Sequence, residues 1–290
     1  VPVAVITDST AHLPEGFADR YALRVVPLHV LIDGVAALDG VDVGPAALAE
    51  ALSQRRIVTT SRPTPGAFAT AYREALDAGA DSVVSVHLSS EISGTWESAV
   101  LAAQEVGPER VRVVDSRGTA MGLGFAALHA ARAASAGASP EEVEAAATAA
   151  VRCSETLFVV ETLEYLRRGG RIGAAAALLG TALAMKPVLH LDDGRIKPLE
   201  KVRTMNRAIA RLVELAEEAG HGEPVEVAVH HLASPQRAVE LANRIEERLN
   251  VTEGCVVSEL GAVIGAHTGP GVVGVVVQRD PGGPGAVSRA

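Results

Sequence analysis

Hydroxyl side chains and one imidazole, set among small residues, are the groups in this sequence best suited to meet a ligand. They fall in five short polar turns after β-like runs: Thr7-Asp8-Ser9-Thr10, Thr59-Thr60-Ser61, Ser89 to Thr95, Asp115-Ser116 and Ala266 to Gly271. None centres on an acid–base pair or a metal cluster. Two of them, Thr60-Ser61 and Ser93-Gly94-Thr95, stand just before predicted helix starts. Unpaired backbone N–H groups and a partial positive charge favour an anion there. Gly94 lets the backbone approach a ligand closely, and Ser93 and Thr95 supply hydroxyl protons. His267, between small residues and a Gly-Pro-Gly turn, can donate one proton or two. Such a set suits a carboxylate or phosphate that is held rather than hydrolysed. Asp8 ends an apolar strand, where open α/β sheets present functional side chains, although Asp8, Ser9 and Thr10 equally suit a turn or cap.

Other chemistries fit less well. Ser93 lacks the G-x-S-x-G elbow of a serine nucleophile and has no local base. Gly122 to Ala127 and Gly269 to Gly274 imitate dinucleotide fingerprints. The first sits inside a predicted helix and the second leads into a strand, both the wrong context. His230 and His231 are adjacent on a strand, so their side chains face opposite ways and do not pair on a metal. Cys153 and Cys255 lack metal spacing and read as two buried thiols of a reducing cytosol. Arg167, Arg168 and Arg171 flank a Gly pair, with Lys197, Lys201, Arg203 and Arg207 following. They read as a solvated surface or as a docking patch for an acidic or phosphate-bearing partner.

The elements that must position these groups follow from periodicity and punctuation. Strands are predicted at Val3–Ile6, Val25–Ile32 (ended by the turn pair Asp33-Gly34), Ser82–Leu88 and Val111–Val114. Helices are predicted from Pro45, from the Thr64-Pro65 cap to about Ala78, over Trp96–Val106, from about Thr119 to Ser135, and from Ser139-Pro140. This alternation implies a parallel sheet with helices on both faces. Past residue 155 come a strand at Leu157–Glu161, a short helix at Leu163–Arg168 and a small-residue helix from Gly173 to about Ala184. A hairpin turning at Asp192-Asp193-Gly194, a helix at Thr204–Ala219, the strand Val225–His231, the helix Pro235–Leu249 and strands at Val256–Leu260 and Val272–Gln278 follow. A hairpin among crossovers implies a mixed sheet. The predicted organisation is an α/β domain over 1–154, a second over 155–280, and a disordered tail over 281–290.

Composition narrows the class. With 290 residues, 48% of them apolar, the chain can build two modest cores. A net charge of −9 and only 3% aromatic residues argue against nucleic acid. No apolar run reaches the ~20 residues of a membrane helix, and the N-terminus lacks the form of a signal peptide. A cytoplasmic protein without stable membrane insertion is expected.

Taken together, the segments ITDST, TTSRPTPGAF, SSEISGTWESA, VVDSRGTAMGLG, FVVETLEYLRRGGRI, MKPVLHLDDGRIKPLEKVR and GAHTGPGVVG resemble the DegV family of bacterial fatty-acid-binding proteins. That family includes the acyl-carrying subunit of fatty acid kinase. The resemblance implies a two-domain fold with the ligand cleft between the domains, a long-chain fatty acid as ligand, and no cofactor or metal. It implies that the carboxylate is held by Thr60, with Ser61 adjacent, by Ser93 with Gly94, and by His267. Asp8, Arg62, Thr95 and Thr268 are candidate supporting residues. Arg62 is a departure, since the family usually has Gln there. The resemblance further implies presentation of the acid to a separate ATP-dependent kinase, with Arg171 and Arg203 as docking candidates and Asp39 as a weaker one. The chain carries no P-loop or kinase signature, so it is expected not to be an enzyme. The alternatives are a serine hydrolase or acyltransferase using Ser93 and His267, and a sugar- or triose-binding kinase subunit. A long acyl chain buries many methylenes at roughly 0.8 kcal/mol each, so the carboxylate needs orientation more than added affinity. The Ala-rich stretch from Gly173 is expected either to leave tunnel space beside Leu178, Leu179 and Leu183 or to pack tightly.

Overall fold

The computed structural model describes residues 2–178 and 185–282. The chain opens with β1 (Val3–Asp8), α1 (Phe17–Arg20), β2 (Leu23–Val26), β3 (His29–Ile32) and β4 (Val35–Leu38). It continues through α2 (Pro45–Ser53), β5 (Val58–Ser61), α3 (Pro65–Asp77), β6 (Ser82–His87), α4 (Thr95–Val106) and β7 (Val111–Asp115). Then come α5 (Met121–Ser135), α6 (Pro140–Arg152), β8 (Ser154–Val159), α7 (Glu164–Arg168), β9 (Lys186–Asp192) and β10 (Arg195–Val202). α8 (Met205–Gly220), β11 (Val225–His231), α9 (Pro235–Glu246), β12 (Val256–Glu259), α10 (Ala262–Thr268) and β13 (Val273–Arg279) complete it.

Local chemistry accounts for many of the boundaries. Thr64 caps α3 through the Ala67 amide, with Pro65 in the first turn. Ser139 and Glu142 form a reciprocal capping box on α6. Asp33-Gly34 and Asp193-Gly194 both take positive φ, as a tight hairpin turn requires.

The parallel sheet has the order β2-β1-β6-β7. α3 and α4 cover one face, where Phe68, Tyr72 and Ala102 pack on Ile6 and Val83. α5 and α6 cover the other face. The larger sheet has the order β10-β9-β8-β13-β11-β12. Its β11–β12 pair is parallel and its other pairs are antiparallel, so it is mixed. α8 and α9 bury one face of it through Leu212, Val213, Leu241 and Ile245. Its opposite face looks toward α5. One hydrophobic cluster therefore runs from Val5 and Leu28 through Met121 and Leu128 to Phe158, Leu189 and Val276.

Three expectations need correction or limits. The run Val25–Ile32 is not one strand. Pro27 offers no amide to a ladder, and the chain leaves the parallel sheet there to start a three-stranded antiparallel sheet of order β4-β3-β5. The predicted helix from Gly173 is a 3₁₀ turn over Gly173–Leu178. Its continuation through Leu179 and Leu183 to Ala184 lies outside the described residues, as do residues 283–290 of the predicted tail.

Candidate functional site

A cavity opens between the C-terminal ends of the parallel strands, the α5-facing side of the mixed sheet, and helices α7 and α10. Its internal volume is about 110 Å³. Thr60, Ser61, Arg62, Ser93, Arg171 and His267 contribute its polar margin. Leu28, Leu88, Phe158, Leu166, Val263 and Val276 are among the apolar residues of its wall.

Thr60 lies within β5, opposite Val30 of β3, and is not in a turn as first read. His267 is not in a turn either: it sits in the last turn of α10. Sheet and helix bring the two together across 207 positions of sequence, with Thr60 Oγ1 2.8 Å from His267 Nε2. Burial, assisted by the charge of Arg171, lowers the His267 pKa to about 4. The imidazole is therefore neutral near pH 7. Its Nδ1 is enclosed without a hydrogen-bond partner among the described residues. That edge abuts Gly169, where a Cβ would overlap the ring.

Ser93 precedes α4. Its Oγ lies 2.9 Å from Thr95 Oγ1 and accepts from the Thr95 amide at 3.3 Å. Thr95 is buried and supports Ser93 from behind. Gly94 presses against the Arg62 side chain, and Arg62 donates to the Gly94 carbonyl at 3.0 Å. Ser61 is exposed at the margin. Thr268 lines the cavity but donates its hydroxyl proton to the Ile264 carbonyl at 3.1 Å.

Of the remaining candidates only Arg171 touches the cavity. Arg171 spans the mouth, donating to the carbonyls of Ile92 (2.9 Å) and Gly169 (2.7 Å). Arg203 is exposed between β10 and α8. Asp39 has no surface to offer a partner, being only 2% exposed. Its carboxylate accepts from the Ala262 amide (2.8 Å) and from Ser9 Oγ (2.8 Å), so it holds the start of α10.

Asp8 is fully buried and does not line the cavity. Its oxygens accept from Thr10 (amide 3.0 Å, hydroxyl 2.5 Å), from the Leu88 amide at 3.0 Å and from His87 Nδ1 at 3.0 Å. His87 Nε2 meets Ser85 Oγ at 2.6 Å, and Tyr72 donates to that oxygen at 3.0 Å. This Asp–His–Ser array has the connectivity of a hydrolytic triad, yet all three members and Tyr72 are fully buried. It is a pillar joining β1, β6 and α3, and it fixes Thr10 in the cavity wall. The only sequence signal for it was a histidine inside an apolar strand.

As a chemical device the mouth offers neutral donors at one end of an apolar enclosure. Ser93 is bonded to Thr95 and His267 to Thr60, so the Ser93–His267 pair of a hydrolase is not formed. Among the described residues, no group of three His, Cys, Asp or Glu side chains is placed to hold a metal ion.

A family model described as an uncharacterised DegV family protein matches residues 2–280. A DegV domain-containing protein of Streptomyces coelicolor is 54% identical over 275 residues, covering 95% of this chain and 98% of the relative. Two solved structures are close in shape. One, described as fatty acid binding of a DegV family protein from Thermus thermophilus, superposes with a TM-score of 0.92 at 36% identity, covering 97% of this chain and 100% of the other. The second, DegV from Bacillus subtilis, described as a fatty acid binding protein, gives 0.87 at 33% identity, covering 96% and 99%.

Proposed function

This chain belongs to the DegV family, and from that premise we propose that it binds a long-chain fatty acid and presents the carboxylate to a separate ATP-dependent kinase. The observation that carries this reading is the pairing of Thr60 with a neutral His267 at the polar margin of a largely apolar cavity. Burial of the chain supplies affinity at roughly 0.8 kcal/mol per methylene. The hydroxyls of Thr60 and Ser93 and the imidazole orient the head. Ser61 and Gly94 complete the donor side, and Arg62 adds a cation at the rim. The solved relatives described as binding fatty acids support the same ligand class.

The sequence holds no P-loop, so phosphoryl transfer is assigned to the partner and this chain acts as carrier, working in the cytoplasm where that partner has its ATP. Its two α/β units are taken as 1–154 and 155–280, with the ligand between them. Arg203 and Arg171 are the proposed contacts for the kinase. No helix among the described residues is long and apolar enough to cross a membrane.

Native mass spectrometry of the purified protein, with added palmitic acid, tests the ligand. The bound acid is expected to be retained, and His267→Ala and Ser93→Ala are each expected to weaken it about ten-fold or more, one to two net hydrogen bonds. A protein that takes up no fatty acid, or variants that bind it as tightly, would sink the reading. With an ATP-dependent acyl kinase, Arg203→Glu is expected to lower acyl-phosphate yield at unchanged lipid occupancy. Unchanged yield, or loss of lipid, would remove the docking role.

A further inference from the structure

The cavity carries a polar group that its mouth does not use. Thr119 lines the wall just before α5, and its Oγ1 is enclosed with no hydrogen-bond partner among the described residues. Two other polar side chains of the wall are engaged. Thr10 donates to Asp8, and His230 accepts from the Met121 amide at 3.2 Å and meets Ser258 Oγ at 2.9 Å. The backbone that carries Thr119 is also constrained. The next residue, Ala120, has φ 51° and ψ −144°, a conformation unfavourable for any residue but glycine. The Thr119 carbonyl is engaged by the Gly122 amide at 3.1 Å.

A valine has nearly the shape of threonine. In a wall meant only for methylenes it would avoid the roughly 1–3 kcal/mol that an unpaired enclosed hydroxyl costs. A second chamber adjoins the cavity. Thr156 and Leu191 are shared with it, and its volume is about 320 Å³. Ser154, in that chamber's wall, has an enclosed hydroxyl without a partner among the described residues.

We propose that the acyl ligand is an oxygenated long-chain fatty acid, whose chain oxygen, remote from the carboxylate, is bound by the Thr119 hydroxyl. This rests on the fatty-acid reading above and narrows it. A hydroxyl on the chain both accepts from and donates to Thr119, whereas a hydrocarbon leaves it unpaired.

The test is a set of calorimetric affinities for stearic acid and for its mid-chain and omega-hydroxy derivatives, with wild type, Thr119→Val and Thr119→Ser. Wild type is expected to bind one hydroxy acid about ten-fold tighter than stearic acid, the size of one net hydrogen bond. Thr119→Val is expected to erase that ratio while keeping or improving stearic acid binding, and Thr119→Ser is expected to keep it. If Thr119→Val does not fold, Thr119→Ala takes its place. Stearic acid preferred by wild type, or an unchanged ratio in the valine or alanine variant, would overturn the proposal and leave the carrier reading standing. Failure of wild type to bind any of the acids would overturn both.

Discussion

Gly169 is where a single hydrogen atom decides the shape of the site. Its backbone is ordinary helix, φ −74° and ψ −8°, so alanine brings no conformational strain. Its Cβ would nonetheless overlap His267 Nδ1, and backbone on one side with a packed helix on the other leaves the ring no easy retreat. Gly169→Ala is therefore expected to weaken fatty acid binding about ten-fold or more, 1.4 kcal/mol, with His267 still present. Calorimetry below the melting temperature would separate this from unfolding; the overpacking itself is expected to lower stability by about 1–3 kcal/mol. Gly94 makes the opposite case. Its added Cβ would overlap the end of the flexible Arg62 side chain, which can swing into solvent. Gly94→Ala should leave stability within about 0.5 kcal/mol. Arg62→Gln then decides the role of the cation: unchanged affinity makes Arg62 a rim cation, and a fall of about ten-fold makes it a ligand contact.

At the scale of elements, α10 depends on a residue far away in sequence. Asp39 accepts from the Ala262 amide at the start of that helix and from Ser9. Asp39→Ala would strip the cap from a seven-residue helix and leave enclosed donors unpaired. A loss of about 2–4 kcal/mol is expected, since bonds to a charged acceptor are worth about 1.5–3 each. Denaturant melts and fatty acid affinity should fall together, because His267 rides on the same helix; a stable variant with full affinity would refute this dependence. The same dependence explains why α10 was not legible in the sequence. Ala262 to Thr268 is short and carries a glycine at Gly265, which packs against Leu48 and Leu232 with no room for a Cβ. Tertiary contact makes the helix, not propensity. Thr60 was misread for a related reason: a four-residue strand in a small sheet leaves little periodicity to see. By contrast Thr64-Pro65, Ser139 to Glu142 and the two Asp-Gly turns carry their structure locally, and they were readable. The hydroxyls and imidazole of the mouth were readable as chemistry, but their meeting across β5 and α10 was not.

One hydrophobic cluster joins the two sheets, and imidazoles in and beside it are held in their neutral form. His230 is 3% exposed, and burial, then the neighbouring His12, lowers its pKa to about 3. His267 falls to about 4 by burial and the Arg171 charge. In the unfolded chain both titrate near 6.5, so below that pH the unfolded state binds protons the folded state refuses. Stability contributed by these neutral rings is complete above pH 6.5 and is lost as pH falls toward 4 and 3, a few kcal/mol for each ring by linkage. Glu226 adds a separate, lower window. Burial raises its pKa, but the neighbouring His129 and the hydrogen bonds from Arg132 outweigh that and hold it at about 2. Its contribution is present above 4.5 and is lost as pH falls toward 2. Melting temperature is therefore expected to start falling near pH 6.5, well above the onset that carboxylates alone would give. A bound carboxylate beside His267 would raise that ring's pKa, so the complex takes up a proton and the stabilisation by fatty acid grows as pH falls through this upper window. Thermal melts with and without palmitic acid, from about pH 8 to about pH 5, measure both effects. A flat ligand-free curve would refute the neutral imidazoles, and a ligand effect independent of pH would place the carboxylate away from His267.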